Sequence, residues 1–422
     1  MNNDPTPQPD VARPGSQLVL GAEPSHLVWL TGAAVLGVVL FAAGGIVHPA
    51  DMRAGFDTLW RPSLAILSIM LSTVVARNLG ILDAISIRIA THAGPSPIPM
   101  FRSVFICSAV SSAVLNNDAA VLLLTPLVVG LVRHCYVGRE DLTIPFAFAV
   151  FSAAGVAPLA TSNPMNLIVA DYIGIGFNEY AGRMIPIAIV GWIVAYGALR
   201  IVFRTTLSRT MARQVTSRQA IPALPAAARW YLGILLLSLA CYPALSSIGG
   251  PVWVVAAGIA ACGVALCAAY RVASPRQLVA AVSWPIAIFL YCVFVLALGL
   301  HNAGWVAHLT AFYALPPDGP ARIALISAVS AVGSAILNNH PMATLNAMAL
   351  RGDTHQHVLA ALIGGDLGPR LLPMGSLAGL LWFDSLRRMG VRPRLGQFIG
   401  VGAALTVPAL AISLAILIFV PL

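Results

Sequence analysis

Two short stretches of this 422-residue chain set amides and an ionisable group inside long apolar runs. They are Ser112-Ala113-Val114-Leu115-Asn116-Asn117-Asp118 and Ser334-Ala335-Ile336-Leu337-Asn338-Asn339-His340. Such groups at membrane depth are costly, so they mark places where something polar is bound or moved. The second stretch begins 222 residues after the first, which suggests a duplicated architecture with a polar site shared between the halves. Each half holds one further polar interruption. The first is Ala160-Thr161-Ser162-Asn163-Pro164-Met165-Asn166; the second is Gly364-Gly365-Asp366-Leu367-Gly368-Pro369-Arg370, then Pro373-Met374-Gly375-Ser376. The four segments offer Asn116, Asn117, Thr161, Ser162, Asn163, Asn166, Asn338, Asn339, Gly375 and Ser376 as substrate-binding candidates. Amides and hydroxyls both donate and accept hydrogen bonds. They suit a small neutral polyol-like or weakly acidic solute, or a cation held partly by carbonyls.

Asp118, His340 and Asp366 are the candidates for moving a proton. Asp118, a lone carboxylate at its tip, could load and release one. Its structural alternative is to cap the helix that begins at Ala119. Asp366 has Arg370 four residues on, which leaves a structural ion pair and a coupling role both open. Histidine changes charge near neutral pH, and His340 is open to that role or to that of a neutral hydrogen-bonding tip. The paired asparagines could serve only to satisfy unwound backbone, but their repetition argues for more. Asp171 and Glu179 read as interfacial, and Asp384 as an ordinary helix-end charge.

The composition says what must position these groups. Hydrophobic residues make up 59% of the chain and charged residues 9%, against roughly 25% charged in soluble domains. With a mean hydropathy of +0.86, this is an integral membrane protein. Apolar stretches long enough to span, about 20 residues each, occur about eleven times. The net charge of +9 comes with 24 basic residues, all arginine. Most lie between apolar segments, as in cytoplasmic loops, so the charge is no nucleic-acid signal. Without lysine there is no Schiff-base chemistry and no phosphate-binding Gly-x-x-x-x-Gly-Lys-Ser/Thr loop, which excludes an ATP-driven pump. The six cysteines (Cys107, Cys135, Cys241, Cys262, Cys267 and Cys292) are scattered and read as buried small hydrophobes rather than metal ligands or disulfides. No cofactor is expected. No clustered catalytic constellation is present, so a membrane enzyme is disfavoured.

In chain order, 1–24 reads as a disordered cytoplasmic tail. Residues 25–203 form a first transmembrane repeat, 204–229 an Arg-rich cytoplasmic linker, and 230–422 a second repeat. Spans are expected at about 26–47 and 62–79, with a loop carrying Asp51, Arg53, Asp57 and Arg61 between them. An interfacial helix at 81–98 and a re-entrant hairpin at 101–132 follow, with the first Asn-Asn pair at the hairpin tip. Next come a span at 144–172, broken at Pro164, and a span at 184–203. The second half repeats the order. Spans at 230–246, 252–270 and 278–300 lead to an interfacial stretch at 301–313 and a hairpin at 321–350. A broken span at 358–386 and a last span at 398–421 complete it. Fixing the linker in the cytoplasm makes the two halves inverted relative to each other, the organisation of a secondary transporter. The fold class is an all-α polytopic membrane protein with two inverted repeats, each carrying a re-entrant hairpin and a broken helix.

Ser162-Asn163-Pro164-Met165-Asn166-Leu167-Ile168-Val169-Ala170-Asp171-Tyr172, with Gly174-Ile175-Gly176-Phe177-Asn178-Glu179-Tyr180, resembles the arsenical pump membrane protein (arsenite efflux permease) family. So does Gly365-Asp366-Leu367-Gly368-Pro369-Arg370-Leu371-Leu372-Pro373-Met374-Gly375-Ser376-Leu377-Ala378, with Leu380-Leu381-Trp382 after it, and so do both Asn-Asn tips. The similarity runs from about residue 28 to the end. The hairpin and broken-span pattern alone indicates only the wider ion transporter superfamily, which also holds sodium/proton antiporters and carboxylate carriers. The resemblance implies export of arsenite and antimonite across the inner membrane in exchange for protons. It implies a lipid-embedded protein, with a soluble ATPase subunit and a homodimer as further candidate partners. Arsenite near neutral pH is mainly a neutral trihydroxy species, which hydrogen-bonding amides and hydroxyls suit better than arginine clamps. One departure stands out: His340 precedes Pro341 where the family carries an apolar residue.

Overall fold

The computed structural model describes residues 25–210 and 223–420, and all regular structure among them is helical. The expected tail 1–24 and the middle of the expected linker, 211–222, lie outside the described residues. The first half runs α1 (Ser25–Ala43), α2 (Pro49–Asn78), α3 (Ile81–Ala90), α4 (Ile98–Val114), α5 (Asn117–Cys135), α6 (Thr143–Ala153), α7 (Pro164–Ile173), α8 (Phe177–Val202) and the short α9 (Arg204–Leu207). The second runs α10 (Ala226–Ser247), α11 (Val252–Ala269), the short α12 (Pro275–Ala280), α13 (Pro285–Asn302), α14 (Trp305–Tyr313), α15 (Pro320–Leu337), α16 (Asn339–Ala349), α17 (His355–Leu367), α18 (Leu377–Arg388) and α19 (Leu395–Phe419). Eight of the described helices are long and apolar enough to cross a membrane. Two of the eight, α5 and α15, are hairpin arms, each paired with a shorter helix (α4 and α16), and the half-helices α6–α7 and α17–α18 form the broken spans.

One sequence of elements occurs twice: a long helix (α2; α13), a short interfacial helix (α3; α14), a hairpin (α4–α5; α15–α16), a broken span (α6–α7; α17–α18) and a closing long helix (α8; α19). The long-to-short junction uses the same device each time. Gly80 (φ 75°) and Gly304 (φ 82°) stand immediately before α3 and α14, in a left-handed conformation that glycine adopts without a Cβ penalty. Four crossings (α6–α7, α8, α10 and α11) lie between α2 and α13, so these two run in opposite directions and the copies are inverted. The equivalent closing helices α8 and α19 pack on each other, as do α2 and α13. α6 packs on the first hairpin, whereas α7 packs on α16 of the second; likewise α17 packs on the second hairpin and α18 on α5 of the first. Each broken span thus ties the two repeats together.

Three expected boundaries move. The charged stretch at 48–61 is the start of α2 rather than a loop. The helix is 30 residues long, about 45 Å, so its first turns project past a hydrocarbon core of about 30 Å. There Asp51 accepts hydrogen bonds from the His48 N–H and from Asn302 Nδ2 at the end of α13, both at 2.8 Å. Pro164 opens α7 instead of ending α6: the break spans 154–163, and Pro164 stands in the first helical turn, where its missing N–H costs nothing. The span expected at 278–300 is divided, and the long helix begins at Pro285.

Three arginine-bearing loops gather on one face. Arg133 donates to the Met389 carbonyl at 2.7 Å. Arg139 donates to the carbonyls of Thr206 and Arg209, both at 2.8 Å. The opposite face carries mixed pairs. Arg322 binds Asp318 and Asp353, His357 lies 2.8 Å from Asp353, and His355 lies 2.7 Å from Glu179. Glu179 thus sits between His355 and Arg183, the latter 4.0 Å away, and Asp384 pairs with Arg388 at 2.8 Å one turn away on the same helix.

The second hairpin is clamped on its broken span by backbone-to-backbone contact. A Cβ at Gly364 would collide with the Ser327 carbonyl, and one at Gly368 with the Ala331 carbonyl. We expect Gly368→Ala to lower stability by about 1–3 kcal/mol, because a rigid carbonyl cannot yield. Gly400, where an added methyl group would meet nothing within 4 Å, should tolerate the same change. Thermal unfolding of the detergent-solubilised variants compares them directly, and equal midpoints would refute the contact.

Candidate functional site

Asp366, six per cent exposed at the end of α17, is the hub where the two repeats meet. Its Oδ1 accepts from Asn163 Nδ2 at 2.8 Å. Its Oδ2 accepts from Asn166 Nδ2 and from the Ala157 N–H, both at 2.9 Å. All three donors belong to the first broken span, about 200 residues away in sequence. Asn166 Nδ2 also donates to the Tyr180 hydroxyl at 2.7 Å, and that hydroxyl donates to the Ala157 carbonyl at 3.1 Å. The break at 154–163 is therefore held in shape by a carboxylate from the other repeat.

Arg370 does not pair with Asp366: among the described residues it makes no ion pair. Its Nη2 instead donates to the Ser152 carbonyl at the C-terminus of α6, while Trp192 Nε1 donates to the neighbouring Ala153 carbonyl at 2.9 Å. A helix C-terminus carries partial negative charge. The second broken span thus sets a guanidinium on the negative end of α6 and a carboxylate beside the start of α7. That arrangement complements the dipoles on both sides of the break. Gly155 makes room, since a Cβ there would meet the guanidinium at 2.6 Å.

The hairpin tips are built alike. Asn116 Oδ1 accepts from the N–H groups of Asp118 (2.8 Å) and Ala119 (3.4 Å), capping α5. Asn338 Oδ1 accepts from the His340 N–H at 3.2 Å, capping α16. The cap is therefore the first asparagine of each pair and not Asp118. A short amide side chain one residue before the helix reaches the free N–H groups of the first turn. This frees the Asp118 carboxylate, which approaches the Ala378 N–H in the first turn of α18. Its Oδ2 is buried without a partner among the described residues. Asn338 has φ 85° and ψ 146°, a strained conformation for a residue with a side chain; such strain persists only where surrounding contacts hold it. Here its Nδ2 donates to the Met374 carbonyl in the second break at 3.1 Å. In the first repeat the corresponding staple is Ser162 Oγ, which donates to the Ala113 carbonyl at 2.8 Å.

The sequence candidates fall into three groups. Asn163, Asn166 and Asp366 form the central cluster. Asn116, Asn338, Ser162 and Ser376 shape the segments around it, Ser376 by capping α18 through the Gly379 N–H at 3.0 Å. Asn117, Asn339, Thr161 and Gly375 are buried beside them; the Asn339 Oδ1 is without a partner among the described residues, and Gly375 lies against Pro369 and Ala335 too closely for a side chain. Tyr180 was not among the candidates, although it is fully buried and its hydroxyl completes the hub. A tyrosine in the first turn of α8 was the available signal. Among the described residues no three His, Cys, Asp or Glu side chains cluster to hold a metal ion.

Residues 18–420 match the family model described as "Arsenical pump membrane protein". The arsenical pump membrane protein of Escherichia coli (strain K12) is 28% identical over 397 residues, covering 91% of this chain and 92% of that protein. That of Yersinia enterocolitica is 26% identical over 396 residues, with the same coverage of both chains. Among solved structures, the Alcanivorax borkumensis YdaH transporter, whose crystal structure is described as revealing an unusual topology, aligns with a TM-score of 0.60. It covers 93% of this chain and 97% of that chain at 17% identity, a likeness that speaks for the fold.

Proposed function

The chain belongs to the arsenical pump membrane protein family, and from that premise we propose that it is a secondary transporter that exports arsenite and antimonite from the cytoplasm in exchange for protons. The observation that carries the coupling is the contrast between two carboxylates, one buried and one half-buried. Asp366 has both oxygens occupied by three donors of the other repeat. Asp118 holds the only carboxylate oxygen among the described residues that is buried without a partner. Asp366 then acts as the fixed staple of the binding centre, and Asp118 takes up and releases the proton. His340 serves as a neutral tip residue. The neutral trihydroxy acid binds between the hairpin tips and the two breaks, where amides and hydroxyls can both give and accept hydrogen bonds.

The arginine-rich face is the cytoplasmic one, following the positive-inside pattern. The first hairpin then enters from the cytoplasm, the second from outside, and the N-terminus lies inside. Everted membrane vesicles test the reading. When energised to an acidic interior they should accumulate arsenite, and collapse of the pH gradient should release it. Vesicles that hold folded protein and accumulate sodium or a dicarboxylate instead would replace arsenite as the substrate.

A further inference from the structure

The surroundings of His340 determine which of its ring nitrogens carries the proton. The Asn338 amide has only one orientation that suits its neighbours. Its Nδ2 donates to the Met374 carbonyl at 3.1 Å, and its Oδ1 accepts from the His340 backbone N–H at 3.2 Å. That same oxygen lies 3.2 Å from His340 Nδ1. An amide oxygen has no hydrogen to give, so Nδ1 is the donor, and a neutral imidazole then presents Nε2 as a bare acceptor. Nε2 is buried and has no partner among the described residues. The ring is 2% exposed and packs edge-on to Phe289, with centroids 5.9 Å apart.

His340 also lines a small cavity with Met165, Leu290, Phe294 and Thr344, with room for about one water molecule. The Thr344 hydroxyl already donates to the His340 carbonyl at 3.0 Å, so it too faces the cavity only as an acceptor. Among the described residues no charged group and no other titratable group lines it. The polar atoms here all ask for a hydrogen. The placement repeats across the two halves. Asp118, the residue after the first Asn-Asn pair, meets the first turn of α18. His340, after the second pair, shares its cavity with Met165 in the first turn of α7.

We propose that this cavity is a hydroxyl subsite in which His340 Nε2 accepts one O–H group. The donor is either a buried water or one hydroxyl of the transported trihydroxy acid. The second source rests on the transport reading above; the acceptor role does not. Nitrogen-15 NMR of the histidine-labelled full-length protein in nanodiscs reads the ring directly. The His340 signals are identified by their loss in His340→Gln or, should that variant fold poorly, in His340→Leu. The expected result in substrate-free protein is a protonated Nδ1 and a bare Nε2, and a protonated Nε2 would overturn the proposal. Adding arsenite separates the sources: a moved Nε2 resonance names the substrate hydroxyl, and an unmoved one names water. If the substrate is the donor, His340→Leu raises the KM for arsenite about three- to tenfold, the value of one lost hydrogen bond. His340→Gln, whose amide oxygen can still accept, restores most of it. Protein that fails to move arsenite yet shows the bare Nε2 would sink the transport reading and leave the subsite standing.

Discussion

Asp118→Asn should leave the protein folded and inserted but without pH-driven arsenite flux. The substitution is nearly isosteric, and the cap of α5 belongs to Asn116, whose Oδ1 holds the N–H groups of residues 118 and 119. The helix start therefore survives the change. The contact with the Ala378 N–H can be kept by the amide oxygen. What is lost is the one group at the tip able to bind and release a proton. The amide nitrogen placed where Oδ2 stood puts a donor into a buried position that offers the carboxylate no partner among the described residues; a buried unmet donor costs about 1–3 kcal/mol, so the thermal midpoint should fall modestly. Arsenite should still shift that midpoint, since the central asparagines remain. Gradient-driven uptake should fall to the level of empty vesicles. Normal uptake by the variant would remove Asp118 from the coupling step.

Asp366→Ala should act on the fold as much as on transport. The substitution strips the acceptor from Asn163, Asn166 and the Ala157 N–H at once. It also removes the opposite charge nearest in sequence to the buried Arg370. Each buried donor left without its acceptor costs about 1–3 kcal/mol, so the three together take a large share of a total stability of about 5–15 kcal/mol. Low yield and a sharply lower thermal midpoint are expected. Asp366→Asn should lie between. Its oxygen can replace Oδ2, which serves two donors, while its nitrogen faces the Asn163 amide as donor to donor. A wild-type midpoint for the alanine variant, measured in detergent by intrinsic fluorescence, would show that the crossing of the two breaks does not depend on this carboxylate.

The repeated architecture was readable because membranes make polar residues conspicuous. Two Asn-Asn pairs in apolar runs can hardly be accidental, and the arginine distribution oriented the segments between them. Charge misled where a helix outgrows the membrane: Asp51, Arg53, Asp57 and Arg61 look like a loop but ride on the projecting turns of α2. Proline misled at the first break, because Pro164 removes a donor in the one turn where none is needed. Capping stood open to Asp118 as its structural alternative, and only geometry shows that Asn116, an equally short side chain, fills that role. Arg370 looked like the partner of Asp366 from their spacing of four. Each instead reaches a different half-helix of the other repeat, a choice that depends on contacts about 200 residues apart. Tyr180 joined the centre for the same reason.

The most direct test is proton movement in proteoliposomes of the purified protein, followed with an entrapped pH dye. Arsenite applied to the cytoplasmic side, with no imposed gradient, should drive protons the opposite way, and Asp118→Asn should abolish the signal. Arsenite entry without any change of lumenal pH in the wild-type protein would contradict exchange of the metalloid for protons.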